Sequence, residues 1–194
     1  MNSPGGQQIM AQKKPDITIE KMSQERAGDL YEAILESQQE LLAEEFISES
    51  DVSLEVIEGW PKEADKLWKN DEQYHFQIIE TTSNQLVGWG FLNNVKRRYQ
   101  MANLGYFVRT SRIGEGIATE AAKRIARYGF EKLGFQRIEI VVPTHNLPSL
   151  RVAEKVGAVQ EGLLRNRLHL QGSPRHAYMH SLIPADYGFN KPAE

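Results

Sequence analysis

Hydrophobic and polar residues alternate along several short stretches of the chain, as they do in strands that are buried on one face. This pattern predicts strands at residues 16–21, 74–80, 86–93, 102–109, 136–142, 159–165 and 177–182. Two stretches have helical spacing instead. The longer one begins near Ala118 and carries an apolar stripe as far as Leu133. The shorter one spans Leu147–Val156, with Asn146 placed to cap it and Gly157 just past its end.

The segment between the first two strands is predicted to be helical but interrupted. Ser23 is placed to cap a helix whose apolar positions continue to Leu41. From Ala43 to Asn70 the pattern is broken by a glutamate-rich stretch and by Trp60-Pro61. Because proline interrupts helical hydrogen bonding, we expect one or two further short helices with a mobile joint.

The predicted order of elements is β, helices, βββ, α, β, α, ββ, which favours a mixed α/β (α+β) sheet. The helix that starts near Ala118 should join the strands at 102–109 and 136–142 by a right-handed crossover. The length of 194 residues suits a single domain. We expect a disordered lead-in over 1–15, the folded domain over 16–187 and a C-terminal tail over 188–194.

Composition narrows the class of protein without choosing a function. The formal charge is −3, so the chain has no basic excess that would indicate a nucleic-acid partner. There is no cysteine, which excludes disulfides, thiolate metal ligands and a cysteine nucleophile, and we predict no metal site. No apolar run approaches the roughly 18 residues of a membrane span. The N-terminus lacks the apolar core of a secretory signal, so a cytoplasmic location without a membrane partner is expected.

The stretch Ser111–Glu120 carries the most chemical information, because two glycines there lie between a predicted strand and the first turn of a helix. The first amides of a helix have no internal partner, and the helix dipole adds partial positive charge. Gly114 and Gly116 allow a ligand to approach the backbone closely. The combination predicts a phosphate or pyrophosphate site, and a simple tight turn is the alternative.

Two common phosphate motifs do not match this stretch. A P-loop needs Lys-Ser/Thr after its last glycine, and Ile117-Ala118 follows Gly116 here. A dinucleotide site needs a third glycine where this chain has Thr119, and an acidic residue where the next strand ends in Val142-Pro143.

The sequence instead resembles the GNAT superfamily of N-acetyltransferases. Arg112–Ala122, preceded by Leu104-Gly-Tyr-Phe-Val108, resembles its acetyl-CoA motif. Asn146-x-x-Ser149-x-x-Val-Ala-Glu-Lys-Val-Gly157, followed by Glu161-Gly-Leu-Leu-Arg165, is similar to the branch that acetylates the N-termini of ribosomal proteins. The resemblance extends over roughly 17–186. It implies a GNAT fold with a mostly antiparallel seven-stranded sheet, acetyl-CoA as cosubstrate and an amine as acceptor.

One position departs from the family pattern. The family motif, Gln/Arg-x-x-Gly-x-Gly/Ala, begins at Ile113 in this chain, so the usual basic or amide side chain is missing and Arg112 lies one position early. Backbone amides do not depend on side-chain identity, so acetyl-CoA binding should survive, and whether the loss of the basic side chain weakens it stays open. The residues that the resemblance assigns to the pyrophosphate loop are Ile113, Gly114, Glu115, Gly116, Ile117 and Ala118.

The resemblance also assigns the pantetheine arm to the backbone of Phe107, Val108 and Arg109, paired like an added strand. The N–H of Val108 would then polarise the thioester carbonyl and stabilise the oxyanion. Asn146 matches the family position that bonds the pantetheine arm. A purely structural role as helix cap is the alternative for Asn146, and the two roles are compatible.

Two proton transfers remain to be assigned. Many relatives protonate the leaving thiolate with a tyrosine, but the matching residue here is Ala153. The ribosomal branch has a serine at the position of Ser149, which is the candidate acid unless its hydroxyl bonds only the helix start. The general base of related enzymes falls at Leu168, so His169 would have to replace it with a shift of one residue. Glu161 is interpreted as structural.

The acceptor is the least determined part of the prediction. An α-amine has a pKa about 2.5 units below that of lysine, so it needs less help from a base. The groove should lie between 40–61 and the connection at 168–176, with Trp60 and Trp89 as candidate walls and a glutamate-rich edge. A protein N-terminus is the leading acceptor. Two alternatives stay open: the acceptor is a polyamine, an amino acid or an antibiotic, or the protein is a non-catalytic acetyl-CoA sensor. Dimers are common among members of the family, so the resemblance is compatible with a homodimer.

Overall fold

The computed structural model describes residues 14–189. The strands are β1 (Ile17–Lys21), β2 (Tyr74–Glu80), β3 (Leu86–Lys96), β4 (Met101–Val108), β5 (Arg137–Pro143), β6 (Val159–Leu170) and β7 (Ser173–Leu182). The helices are α1 (Ala27–Glu36), α2 (Gln38–Ala43), α3 (Leu54–Lys69), α4 (Ile117–Glu131) and α5 (Leu147–Lys155). This order of elements agrees with the one predicted from the sequence.

The strands form one mixed sheet in the order β1-β2-β3-β4-β5-β7-β6. Neighbouring strands are antiparallel except β4 and β5, which are parallel and connected through α4. The expected fold class is therefore confirmed. The β4–β5 ladder is short: residues 101–103 pair with residues 137–139, and beyond that point the two strands separate.

Helices cover both faces of this sheet. On one face α4 packs its alanine and isoleucine positions against apolar side chains of β2, β3 and β5. On the other face α1 and α3 pack against β2 and β3, including Ile79 and Trp89. Because helices cover both faces, the central strands carry apolar side chains on both sides.

The expectation of short helices between Ala43 and Asn70 is wrong for α3, which is a single helix of 16 residues with Pro61 inside it. Proline removes one helical hydrogen bond, at a cost of about 3 kcal/mol. Ile57, Pro61 and Ala64 lie on one face of α3 and are buried, so packing on the sheet compensates for the lost bond.

Ser23 does not act as the predicted side-chain cap. A 3-10 turn at Gln24–Arg26 precedes α1, and no cap hydrogen bond is made by Ser23. Its hydroxyl instead accepts a hydrogen bond from Nε2 of Gln77 in β2, at 3.3 Å. A buried amide on the neighbouring strand therefore uses the oxygen that the helix start was expected to use.

Residues 168–176 were expected to form a loop between two strands, and this expectation is wrong. β6 and β7 extend through most of this segment and pair, for example through His169 and Pro174. Only Gln171 and Gly172 form the turn, and both have positive φ, at 52° and 67°. A two-residue turn of this kind allows the strands to continue to the tip of the hairpin.

The ends of the described chain are in contact with the fold. Lys14, predicted to be in the lead-in, has its Nζ 3.1 Å from the carboxylate of Glu120 in α4. At the other end, Phe189 of the predicted tail packs against the main core. The rest of the predicted lead-in and tail, 1–13 and 190–194, lies outside the described residues. Within the described part, no helix has the length and apolarity that crossing a membrane requires.

Candidate active site

The separation of β4 from β5 exposes one side of the β4 backbone. The N–H of Arg109 donates to the carbonyl of Val87 at 2.9 Å, so odd-numbered residues at this end of β4 direct their backbone groups to β3. The even-numbered residues Tyr106 and Val108 direct theirs into the gap beside β5. A ligand that adds itself to β4 would therefore meet Tyr106 and Val108, and not the backbone of Phe107 or Arg109.

The side chain of Arg109 has a structural position. It is buried, with Nη1 3.1 Å from a carboxylate oxygen of Glu36 and Nη2 donating to the carbonyl of Asp29 at 3.1 Å. Burial alone would raise the pKa of Glu36, but hydrogen bonds from Ser111 and Arg109 lower it overall. The side chain of Arg109 thus ties α1 to the end of β4, a role separate from the backbone role that was expected for this residue.

The glycine-rich turn has the geometry that an anion site requires. Gly114 and Gly116 have φ of 90° and 83°, a conformation that favours glycine. Gly116 is the N-cap of α4, has no side chain to cap with, and its carbonyl accepts from Glu120 N–H at 3.1 Å. The preceding amides of the first turn, those of Ile117, Ala118 and Thr119, have no partner within the helix. They can hold a phosphate oxygen.

The side chains next to this turn are either exposed or bonded to other side chains. Ile113 is 60% exposed. The guanidinium of Arg112 is 2.6 Å from a carboxylate oxygen of Glu80 and 2.9 Å from one of Glu115. Hydrogen bonding to Arg112 lowers the pKa of both carboxyl groups. The guanidinium of Arg112 and the carboxylate of Glu115 are therefore occupied by each other, and Arg112 also holds Glu80.

Asn146 and Ser149 meet β4 at the gap. Asn146 caps α5 by accepting the N–H of Ser149 on its Oδ1 at 3.0 Å, which leaves its amide group for other partners. The hydroxyl of Ser149 is 2.9 Å from the hydroxyl of Tyr106. The hydroxyl of Ser149 is therefore bonded to the phenol of Tyr106, and it is not restricted to the backbone groups at the start of α5.

The sequence analysis did not single out Tyr106 as a site residue. Its available signal was its place in the stretch Leu104-Gly-Tyr-Phe-Val108, which resembles part of the acetyl-CoA motif. Burial raises the pKa of Tyr106 to about 12, against a smaller lowering by the bond to Ser149. The phenol is thus protonated at neutral pH and can donate a proton or a hydrogen bond.

A cavity of about 130 Å³ lies in the gap, next to these hydroxyls. Its walls come from α2 and the following residues, β4, β5, the start of α5 and the end of β6, namely Glu44, Phe46, Leu104, Gly105, Tyr106, Ile140, Val141, Pro143, Asn146, Ser149 and Leu170. Leu170 faces the cavity, and successive side chains of a strand point to opposite faces. His169 is exposed on the other face of β6, so the structure contradicts its assignment as the general base.

A second cavity of about 300 Å³ lies beside the first and is largely apolar. Trp60 and Trp89, the predicted groove walls, line it with their rings 6.4 Å apart in an edge-to-face arrangement. Phe46 lines both cavities and separates them. An acceptor whose amine reaches the first cavity therefore has an apolar pocket next to it for a neighbouring group.

Glu161 occupies a structural position, as the sequence analysis proposed. Its carboxylate accepts from Arg137 of β5 at 2.5 and 2.7 Å and from the hydroxyl of Ser181 in β7 at 2.6 Å. Hydrogen bonding to Arg137 lowers the pKa of Glu161 to about 2. The group therefore joins three strands of the sheet, β5, β6 and β7.

A mixed sheet that opens between two parallel strands, next to a helix start that can hold an anion, is the architecture of an acyltransferase that uses coenzyme A thioesters. Comparison with known families agrees with this class. The chain belongs to the acetyltransferase (GNAT) domain family, whose model matches residues 16–159, and it is an N-acetyltransferase of that family.

Relatives are found among curated proteins and solved structures. The chain is 36% identical to the probable N-acetyltransferase YjcK of Bacillus subtilis over 60% of this chain and 67% of that protein. It is 26% identical to the putative ribosomal N-acetyltransferase YdaF of the same organism, over 88% and 93%. It is 28% identical to a spermidine N(1)-acetyltransferase of Escherichia coli, over 50% of each.

Two solved structures have the same fold with low sequence identity. A ribosomal-protein-S5-alanine acetyltransferase from Vibrio fischeri superimposes with a TM-score of 0.81 at 19% identity, covering 93% of this chain and 98% of that one. RimJ from Mycobacterium smegmatis, in complex with CoA-disulfide, has a TM-score of 0.81 at 23% identity, covering 88% and 83%.

Proposed function

We propose that this protein transfers the acetyl group of acetyl-CoA to the N-terminal α-amine of a protein, by direct attack in a ternary complex. The observation that carries the proposal is the hydroxyl pair of Ser149 and Tyr106 at the gap between β4 and β5. The pair lies where a thioester laid along β4 would end, and it supplies the proton that the departing thiolate needs.

Acetyl-CoA binds along the gap. The amides that follow Gly114 and Gly116 hold the pyrophosphate at the start of α4. The backbone of Tyr106 and Val108 pairs with the pantetheine arm, and the side-chain amide of Asn146 donates to it. The Val108 N–H polarises the thioester carbonyl and stabilises the tetrahedral oxyanion.

Ser149 gives its hydroxyl proton to the thiolate as the carbon–sulfur bond breaks. Tyr106 orients that hydroxyl through their 2.9 Å bond and can return the proton. No covalent enzyme intermediate is needed, because the bound amine attacks the thioester carbon directly.

An α-amine suits this site better than a lysine. Its pKa lies about 2.5 units lower, so the free energy of deprotonating it at neutral pH is about 3.4 kcal/mol smaller. The apolar cavity behind Phe46 would receive the side chain of the first or second acceptor residue. The YdaF similarity extends over most of this chain and supports the ribosomal-protein branch.

A small polyamine is the second candidate acceptor, favoured by one observation. A carboxylate, that of Glu44, lines the reactive cavity and can pair with a cation. The shorter similarity to a spermidine acetyltransferase agrees with this candidate. We further propose that the enzyme acts in the cytoplasm with acetyl-CoA as its cosubstrate, and that it can form a homodimer.

The acceptor class is tested by incubating the purified chain with radiolabelled acetyl-CoA and matched pools of peptides and polyamines. Free N-terminal peptides should accept label. The same peptides with blocked N-termini and free lysines should not. Preferential labelling of polyamines would replace the α-amine proposal, and coenzyme binding without transfer to any amine would identify a sensor.

A further inference from the structure

Glu44 is the residue that follows the end of α2, as its C-cap, and it brings a carboxylate to the reactive cavity. Its N–H donates to the carbonyl of Glu40 at 3.1 Å. Its side chain is 26% exposed and lines the same cavity as Tyr106 and Ser149. Among the described residues that line this cavity, Glu44 carries the single carboxylate.

The tip of the β6–β7 hairpin fixes the backbone on both sides of Glu44. Nε2 of Gln171 donates to the carbonyl of Ala43 at 3.1 Å. The backbone N–H of Gln171 donates to the carboxylate of Glu45. Because both neighbours of Glu44 are held by one residue, its side chain is kept over the cavity.

The other acidic residues of this region have different positions. Asp51 accepts hydrogen bonds from the N–H and the hydroxyl of Ser48, at 2.8 and 2.7 Å. Glu45 bonds the hairpin, and Glu49 is exposed at the start of the 3-10 turn Glu49–Asp51. Of these acidic residues, Glu44 is therefore the one whose carboxylate lines the cavity of Tyr106 and Ser149.

We propose that Glu44 is the proton acceptor for the incoming amine. The proposal rests on the proposed acetyl transfer to an α-amine. The acceptor arrives mainly as an ammonium, pairs with the Glu44 carboxylate and loses a proton to it before attack. Nε2 of His145, 3.5 Å from Glu44 and more than half exposed, connects the carboxylate to solvent.

The charges and titratable groups around Glu44 come from three elements. His145 faces it from the segment before α5, and Tyr106 of β4 lines the same cavity. Glu40 in α2 accepts the Glu44 N–H, and Glu45 is the next residue along the chain.

The step balances as follows. The amine nitrogen forms a bond to the acetyl carbon, and the carbon–sulfur bond breaks. The ammonium loses two protons in total. One leaves to solvent through Glu44, and the other replaces, through solvent, the proton that Ser149 gives to the thiolate. The products are an amide, the free thiol of CoA and one proton.

The test compares Glu44→Gln and Glu44→Asp with wild type, using acetyl-CoA and the peptide that the wild type acetylates best, between pH 6.5 and 9. Glu44→Gln should lower kcat/KM for the peptide about 100-fold at pH 7. The deficit should shrink as the pH rises past about 8, because the α-amine then deprotonates without a base. Glu44→Asp should retain part of the activity.

Glu49→Gln is the matched control, since it removes the same charge from the same region without touching the cavity, and it should behave as wild type. The KM for acetyl-CoA should be unchanged in every variant. A Glu44→Gln enzyme with wild-type kcat/KM, a change in peptide KM alone, or an equal loss at every pH would overturn the assignment of Glu44. A wild-type enzyme that acetylates no amine would overturn the proposed function itself.

Discussion

Tyr106 and Ser149 come from different elements, and their contact is what gives either residue a chemical role. The family tyrosine is absent at Ala153, which is completely buried. A tyrosine from β4 reaches the same region of the gap and bonds the serine of α5. We therefore interpret the pair as one proton-donating unit.

Removing the phenol hydroxyl tests this unit at the scale of one residue. Tyr106→Phe keeps the ring and should lower kcat about 10-fold, because Ser149 loses its orienting partner, and Ser149→Ala should lower kcat about 100-fold. The double variant should resemble Ser149→Ala, since residues that act as a unit are not additive. The release of CoA thiol under saturating acetyl-CoA measures these effects. Multiplicative losses in the double variant would show that the two hydroxyls act separately.

At the scale of single residues, the sequence indicates local backbone geometry and gives little information on side-chain positions that depend on distant contacts. The turn at Gly114 and Gly116 was visible because its geometry is local. His169 was misassigned because a shift of one residue along β6 reverses the direction of the side chain. Glu44 was not distinguished from its neighbours because its position depends on Gln171, more than 120 residues away.

At the scale of elements, Glu161 joins β6 to β5 and β7 and makes the sheet sensitive to acid. Its pKa is lowered from 4.5 to about 2 in the folded protein. Its contribution to stability is therefore fully present above about pH 4.5 and is lost as the pH falls toward 2. The carboxylate is 40% exposed, so solvent screens the interaction and limits it to about 1 kcal/mol.

Glu161→Gln should consequently lower the melting temperature at pH 7 by about 2–4 °C. The difference from wild type should disappear as the pH is lowered through this window, as measured by thermal unfolding followed by circular dichroism. Glu154→Gln removes an exposed carboxylate from α5 and should leave the pH profile unchanged. A Glu161 variant that is equally destabilised at pH 2.5 and pH 7 would contradict an electrostatic origin.

Most elements were predictable because their burial follows a simple period. The strands of the sheet and α4 are amphipathic or apolar in ways that local sequence encodes. α3 was not predicted as one helix because Pro61 is locally unfavourable, and only packing of its buried face on the sheet outweighs that cost. The hairpin tip was missed because Gln171 adopts a positive φ that is uncommon for its residue type.

At the scale of the whole molecule, the short β4–β5 ladder leads us to expect that a ligand bound in the gap raises the free energy of unfolding. Residues 101–103 provide the pairing between the two strands, and a coenzyme laid along β4 would extend it. Acetyl-CoA at 100 times its Kd should stabilise the fold by about 2.7 kcal/mol. The melting temperature should rise by about 5–10 °C for a chain of this size.

Pantetheine is the matched control ligand, because it lacks the pyrophosphate that the start of α4 would hold. Differential scanning fluorimetry of the full chain should give a much smaller shift with pantetheine than with CoA at equal concentration. Equal shifts would mean that the amides after Gly116 contribute nothing to binding.

The alternation of backbone direction along β4 restricts how this strand can change in length. Deleting or inserting one residue between Met101 and Val108 would turn the N–H of the last residue from the gap to β3, although every side chain could stay chemically similar. Changes of two residues would restore the direction. Length variation within this strand among functional homologues should therefore occur in even steps.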